Sequence, residues 1–526
     1  MVMAEIIDRY KALGVQLWAD DGQLRFRAPA GVLNEQRVAE LRSYKEALIK
    51  HLQEPEQSTV QADPFNRYMP FPLTDIQAAY LIGRKDDYAL GGVGCHGYVE
   101  LSMPVMDKAR LEKAWHLLIN RHDMLRAVVF AQGYQQVRSE ITLPSLPMQD
   151  VRGANPVQVQ AAIQQVREEL SNRQYIPDQW PLYELFLTTI DDTSILHVSI
   201  DMLIADFVSI NIILAELNHF YHQPERPLPK LDITYRDLLL YQQARQKQPA
   251  VKARKERDRQ YWLARIDQMP EAPALPLADR QVDMQKAAFE RHPFWLEQNK
   301  WTALCRQAGK KKITPASAVL GAFAEVIGLW SGQPDFCINI TILNRPDLHP
   351  QINRIIGDFT EVNVLQVSPA AGSTYAERIQ ALQQRLWLDM EHRSFSGIEV
   401  LRELRRRRNK SVIIPVVYTS TIGAGTVVPK EGELMRNARL TYGITQTPQV
   451  WIDCQVSEQA GELHLNWDVR RGIFPEGMIE EAFTFFKHLL AEMVADEQVW
   501  RNQTPLTPPA SAGQRYAAEF YKENCL

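Results

Sequence analysis

The sequence has no phosphate loop, no dinucleotide glycine fingerprint, no HExxH and no GxSxG. These absences remove the common signatures of nucleotide cradling, dinucleotide binding, zinc-assisted hydrolysis and serine-elbow catalysis, and no bound cofactor is expected. Cysteine is scarce. Cys95, Cys305, Cys337, Cys454 and Cys525 are scattered, odd in number and without metal-type spacing, which suits a reduced cytoplasm and suggests no metal site. No apolar run is long enough to span a bilayer, so no membrane partner is expected. The opening MVMAEIIDRYKALG carries charge throughout, unlike a signal peptide. Neither sign of charge dominates: the net charge is −4 with 23% charged residues, which argues against nucleic acid, whose binding depends on many phosphate contacts.

What remains is an ordinary globular composition over 526 residues, enough for two or three domains. The first 55 or so residues read as a unit of their own. EIIDRYKAL places Ile6, Ile7, Tyr10 and Leu13 on one helical face, with Gly14 ending the helix. Val15/Leu17 and Leu24/Phe26 then alternate about Asp21-Gly22, a hairpin signal. Asn34 caps a second helical stretch striped by Val38, Leu41, Leu48, Ile49 and Leu52, and the aperiodic EPEQSTVQADP follows. Such a helix–hairpin–helix has too small a core for an active site. It is either a stabilising cap or, as favoured here, an interaction module whose hairpin edge or exposed helix face takes a partner segment.

Beyond residue 65 helical and strand patterns mix. DKARLEKAWHLLINRHDML, TPASAVLGAFAEVIGLW, TYAERIQALQQRLWLDMEH and PEGMIEEAFTFFKHLLAEMV read as helices, while SILHVSI, FCINITIL, SVIIPVVYTS, PQVWIDCQV and ELHLNWDV read as strands. The basic runs ARKERDR and LRELRRRRNK are most simply solvated helix faces.

Carboxylates inside apolar runs need a reason, since an unpaired buried charge is costly. In HVSIDMLIADFVSI, strand alternation sets His197, Ser199 and Asp201 on one face and Leu196, Val198 and Ile200 on the other; Asp206 falls in the following turn. In PQVWIDCQV, Val450, Ile452, Cys454 and Val456 share a face, leaving Trp451, Asp453 and Gln455 opposite. In IIPVVYTS, Pro415, Val417 and Thr419 share a face. The two strands can present Asp453 and Thr419 to one cavity. The plainer alternatives are that Asp453 caps a hydrogen-bond network and that Thr419 is an ordinary strand residue.

FPLTDIQAAYLIGR (71–84), RHDMLR (121–126), DMLIADFVS (201–209), APALPLA (272–278), LNRPDLHP (343–350), GDFT (357–360), PVVYTS (415–420) and TPQVWID (447–453) occur in order. Together they resemble the motifs of the heterocyclization domains of non-ribosomal peptide synthetases, from roughly Phe65 to Trp500, and the first fifty residues resemble the docking domains found ahead of such synthetases. Glu361 and Asn363 after GDFT depart from the usual aliphatic residues.

The resemblance implies a two-lobed α/β fold of the chloramphenicol-acetyltransferase type, a pseudodimer with a central tunnel. It implies a docking domain over 1–55, a heterocyclization domain over 65–500 (N-lobe about 65–240, C-lobe about 285–500) and a linker tail over 501–526. The implied activity joins an upstream carrier-bound acyl thioester to carrier-bound cysteine, serine or threonine, then closes a thiazoline or oxazoline ring by loss of water. Phosphopantetheine arms of partner carriers would bring the substrates; the partners would be an upstream synthetase, through the docking domain, and downstream adenylation and carrier domains.

Amide-forming condensation domains carry HHxxxDG where this family carries DxxxxDxxS, here Asp201, Asp206 and Ser209, with Met202 at the position of the catalytic histidine. A plain condensation domain is thereby disfavoured. Carried over by motif, Asp453 and Thr419 serve cyclodehydration, Asn344 orients a substrate carbonyl, and Asp206 makes a structural pair with Arg345. Asp201 either shapes the tunnel or acts directly, and Gln446 and Gln455 are secondary polar groups.

Overall fold

The strand runs read from the sequence beyond residue 65 lie in two large sheets, one in each lobe. The computed structural model describes residues 6–503 apart from 8, 11–12, 21–22, 30–31, 54–59, 85–90, 279–287 and 423–437. The expected Asp21-Gly22 turn, the first part of the linker, Cys525 and the tail beyond 503 lie outside the described residues.

The C-lobe sheet has six strands in the order Phe289–Leu296, Glu462–Arg470, Ile452–Gln459, Val416–Ser420, Phe336–Leu343 and Thr360–Val367. Val416–Ser420 runs parallel to both neighbours; the other pairings are antiparallel. One face packs on helices Gln298–Lys310, Pro315–Ser331, Tyr375–Glu391 and Met478–Ala495 in a single core around Phe323, Trp467 and Phe486. Thr314 caps the second of these helices by accepting from the Ser317 N–H, with Pro315 in the first turn, where its missing donor costs nothing. Among the described residues no single helix is long and apolar enough to cross a membrane.

The N-lobe sheet has five strands: Arg439–Gln446, His96–Pro104, Thr193–Asp201, Tyr183–Thr189 and Met148–Asp150. Leu196, Val198 and Ile200 join the core under helices Lys108–Arg121 and Phe207–His222. The first strand is an exchange between lobes. Arg439–Gln446 leaves the C-terminal half and pairs antiparallel with His96–Pro104, Ile444 opposite Tyr98. The 285–500 span therefore lends a strand to the other lobe's sheet, and Ile352, Ile355, Ile356 and Phe359 lie in the N-lobe core as well. Contrary to the expectation above, Gly92, Gly94 and Gly97 do have the dinucleotide-type spacing, but they run into strand His96–Pro104 and not into a helix, so the spacing has no phosphate-binding context.

In the N-terminal unit, strands Gln16–Asp20 and Gln23–Arg27 form the expected hairpin, Leu17 opposite Phe26. The helical stretch after Asn34 is not continuous: it divides into Glu35–Ser43 and Lys45–Gln53 at Tyr44, whose φ of −106° and ψ of 11° leave the helical region. The unit's core of Ile6, Tyr10, Leu13, Val15, Val32, Leu41 and Leu48 is completed by Trp387 of the large domain. Arg37 bonds Glu391 at 2.8 Å and lies over the Trp387 ring. A small core thus borrows an aromatic from its neighbour.

Candidate active site

Parallel pairing of Val416–Ser420 with Ile452–Gln459 sets Val417 beside Asp453 and Thr419 beside Gln455. Registered neighbours share a face. Two rows therefore cross the sheet on the side away from the helices: Asn339, Val417, Asp453 and Asp468, and next to it Thr341, Thr419, Gln455 and Asn466. The alternate residues Val416, Tyr418, Ile452 and Cys454 fill the core. Alternation fails just before the strand. Gln449 has a φ of +62°, and Val450 then borders the cavity while Trp451 packs towards the core, the reverse of the expected order.

Apart from Asp468, these residues wall a cavity of about 330 Å³, whose lining also includes further C-lobe residues such as Val362, Leu401 and Ile414 and N-lobe residues such as Ile76, Val99 and Met202. The sheet thus brings Asp453, Thr419 and Gln455 together. Thr419 Oγ1 donates to Asp453 Oδ1 at 3.1 Å and Gln455 Nε2 donates to Oδ2 at 2.8 Å. Gln455 Oε1 accepts from Arg291 at 3.0 Å, and Arg291 holds Asp468 through two bonds of 2.6 Å. Thr445, on the exchanged strand, donates to Asp468 from both its N–H and its hydroxyl.

Burial pushes the Asp453 carboxyl up to about 6; its bonds from Gln455 and Thr419 and the Arg291 charge pull it back, and the Asp468 charge adds to the rise. A carboxyl balanced near neutrality can both take and return a proton. Arg291 and Asp468 do not stand out in the sequence as the other site residues do. Asp468 is reachable there, because alternation in ELHLNWDV sets it opposite Leu465, Trp467 and Val469; Arg291 emerges only from pairing with a strand far away in the chain.

Asp206 is the N-cap of helix Phe207–His222, accepting from the Ser209 N–H at 2.7 Å. The same oxygen accepts from Arg345 at 2.8 Å, both side chains being buried. Arg345 also donates to Ser209 Oγ and to the carbonyls of Ile352 and Ile355, and its guanidinium lies 4.0 Å from the Phe359 ring centre. Ser209 Oγ donates to the Gly357 carbonyl at 2.9 Å. The network ties helix Phe207–His222 to the 352–359 loop, while Asp206 also borders the cavity.

Three candidate residues are placed elsewhere. Asp201 does not line the cavity: both its oxygens accept from Arg84 at 2.5 Å and Oδ1 also accepts from the Leu203 N–H. Strand alternation turns it to the face opposite Ile200, where a buried carboxylate needs this cation. Its neighbour Met202 faces the cavity instead, its methyl group lying where a Cβ on Gly97 would stand, 2.5 Å away. Asn344 is likewise outside the cavity wall, its amide donating to Glu361 at 2.7 Å. The asparagine on the wall is Asn339, which donates to the Ile414 carbonyl and whose buried Oδ1 has no protein partner among the described residues. Gln446 is directed to the Ser171 carbonyl, away from Asp453.

A family model described as Condensation domain matches residues 73–514, and one described as TubC N-terminal docking domain matches residues 3–54. The chain is 38% identical over 510 residues to pyochelin synthetase PchF of Pseudomonas aeruginosa, covering 97% of this chain and 28% of that protein. It is 35% identical over 448 residues to phenyloxazoline synthase MbtB of Mycobacterium tuberculosis, covering 84% of this chain and 31% of that one. The chain thus spans less than a third of these curated relatives. Among solved structures, the EpoB NRPS cyclization-docking bidomain from Sorangium cellulosum matches with a TM-score of 0.79 at 31% identity, covering 94% of this chain and 98% of that chain. The X-domain from teicoplanin biosynthesis, at 15% identity and a TM-score of 0.66, covers 85% of this chain and 99% of that chain and shares the fold.

Proposed function

The chain belongs to the condensation-domain family, among the cyclization domains that follow a TubC-type docking domain, and from that premise we propose what it does. It joins an acyl or peptidyl thioester on an upstream carrier to the amine of cysteine, serine or threonine on a downstream carrier, and cyclodehydrates the product to a thiazoline or oxazoline. The observation that carries this reading is Asp453, buried in the cavity, held at both oxygens by Thr419 and Gln455 and poised near neutrality. Amide formation from a thioester and an amine asks little of such a group. Ring closure asks for it directly, because the amide nitrogen must lose a proton and the departing oxygen must gain one. A methionine at position 202 offers no imidazole for the alternative, plain condensation.

In this mechanism Thr419 and Gln455 orient the carboxyl, and Arg291 with Asp468 holds Gln455 in place. Asp206, Arg345 and Ser209 join the lobes around the cavity. Asn339, rather than Asn344, is the asparagine positioned to meet a substrate. No cofactor belongs to this chain; phosphopantetheine arms of the two carriers bring the substrates to the cavity. The docking unit recruits the upstream synthetase through its hairpin, where Trp18 and Phe26 are 43% and 52% exposed beside strand edges that have no further partner strand among the described residues. Downstream adenylation and carrier domains supply the acceptor, in a reducing cytoplasm. The reading is tested by the intact mass of a downstream carrier loaded in turn with cysteine, serine and threonine and mixed with an acyl-loaded upstream carrier. At least one acceptor should yield a product one water lighter than the linear amide; linear amide alone from all three would contradict it.

A further inference from the structure

The N-lobe side of the cavity carries a polar group that the proposed proton transfer leaves unused. Tyr80 lies on helix Asp75–Gly83, whose start is held by reciprocal bonds between Thr74 and Gln77 and which packs against strand Thr360–Val367. Its side chain lines the cavity together with Cys95, Thr447 and Asp453. The hydroxyl neighbours the Cys95 thiol, whose sulfur is a weak acceptor and lies 3.9 Å from Thr447 Oγ1. Burial, followed by the neighbouring Cys95 and the charges of Asp358 and Asp453, raises the phenol well above the ordinary tyrosine range. Asp358 is itself buried, and its Oδ2 has no hydrogen-bond partner among the described residues. The phenol is therefore a permanent donor beside a poor acceptor, in the same cavity as Asp453.

We infer that Tyr80 is a catalytic residue that hydrogen-bonds the substrate acyl oxygen whenever the acyl carbon is tetrahedral, in amide formation and in ring closure alike. The inference rests on the heterocyclization reading, because that chemistry passes one carbon through two tetrahedral states. In the first step the acceptor nitrogen bonds the acyl carbon, the bond to the donor carrier's sulfur breaks, and a nitrogen proton leaves with that thiol. In the second the acceptor's side-chain sulfur or oxygen bonds the same carbon. The carbon–oxygen bond then breaks, and the side-chain proton and the amide proton both end on the departing oxygen as water. The negative charge develops on the same oxygen both times, so one fixed donor serves both steps. Asp453 handles the protons of the second step only.

The test is Tyr80→Phe, which keeps the ring in place and removes only the hydroxyl. Rapid-quench mass spectrometry of loaded carriers gives the two rate constants separately. Loss of one oxyanion donor typically costs about 10²–10³-fold. Both rate constants should fall by about that factor in Tyr80→Phe, leaving the transient ratio of linear to cyclised product near the wild-type ratio. Unchanged rates in folded Tyr80→Phe, loss confined to one step, or failure of Tyr80→Phe to fold would each overturn the inference. A wild-type protein that forms no ring would instead fail the heterocyclization reading on which it rests.

Discussion

Thr419 and Asp453 are bonded diagonally across a parallel strand pair: Thr419 Oγ1 donates to Asp453 Oδ1 at 3.1 Å, although Thr419 registers with Gln455 and Asp453 with Val417. With Gln455 occupying the other oxygen, the carboxyl is fixed at both ends by neutral donors. Neither donor brings a full charge, so burial dominates and the proton is held far more tightly than on a free aspartate.

The raised carboxyl makes wild-type stability fall with pH. A carboxyl lifted from 3.8 to about 6 on folding binds more protons folded than unfolded in that window, so stability is full below about pH 4 and lost as pH rises to about 6. A rise of that size corresponds to roughly 3 kcal/mol. Asp453→Asn cannot ionise. The difference in unfolding free energy between variant and wild type, from urea titrations, should move in the variant's favour by about that amount between pH 4 and pH 8. A pH-independent difference would remove the raised carboxyl.

The two aspartates of DMLIADFVS should behave alike in stability, and neither should alter the type of product. Asp206→Ala strands buried Arg345 and Asp201→Ala strands Arg84, each costing roughly 3–5 kcal/mol. Thermal melts should show early unfolding in both, and any folded fraction should still cyclise its amide. A fully stable Asp201→Ala that accumulates linear amide would return Asp201 to the chemistry.

Removing residues 1–55 strips the Arg37–Glu391 bond and uncovers Trp387. Turnover with carriers in excess should persist, while coupling to an upstream synthetase at low concentration should drop by about 10²-fold or more as the tethered effective concentration disappears. Equal loss under both conditions would make the unit a structural cap.

Period-two alternation made most of the site legible, since Thr419, Asp453 and Gln455 alternate with core residues on strands that run true. It failed where local rules gave way to long-range pairing. Arg439–Gln446 joins the other lobe's sheet, so Thr445 arrives beside Asp468 from a strand that does not announce itself in the sequence. Asp201 finds a cation 117 residues away, which no local pattern signals. Asn344 is drawn off by Glu361, a residue that departs from the family pattern, and the order of Val450 and Trp451 reverses because Gln449 is left-handed.

The central claim is that Asp453 moves protons during ring closure and not during amide formation. Asp453→Asn keeps the size of the side chain but cannot exchange protons. Loss of a general acid–base group costs typically about 10²–10⁴-fold. The most direct measurement is the time course of linear and cyclised products on the downstream carrier, followed by intact mass. Asp453→Asn should accumulate linear amide at a rate close to wild type with ring formation slowed by about that factor, and Thr419→Ala should show the same pattern more mildly. Ring product at the wild-type rate from folded Asp453→Asn would contradict the account, as would a complete absence of even the linear amide, which would assign Asp453 to condensation.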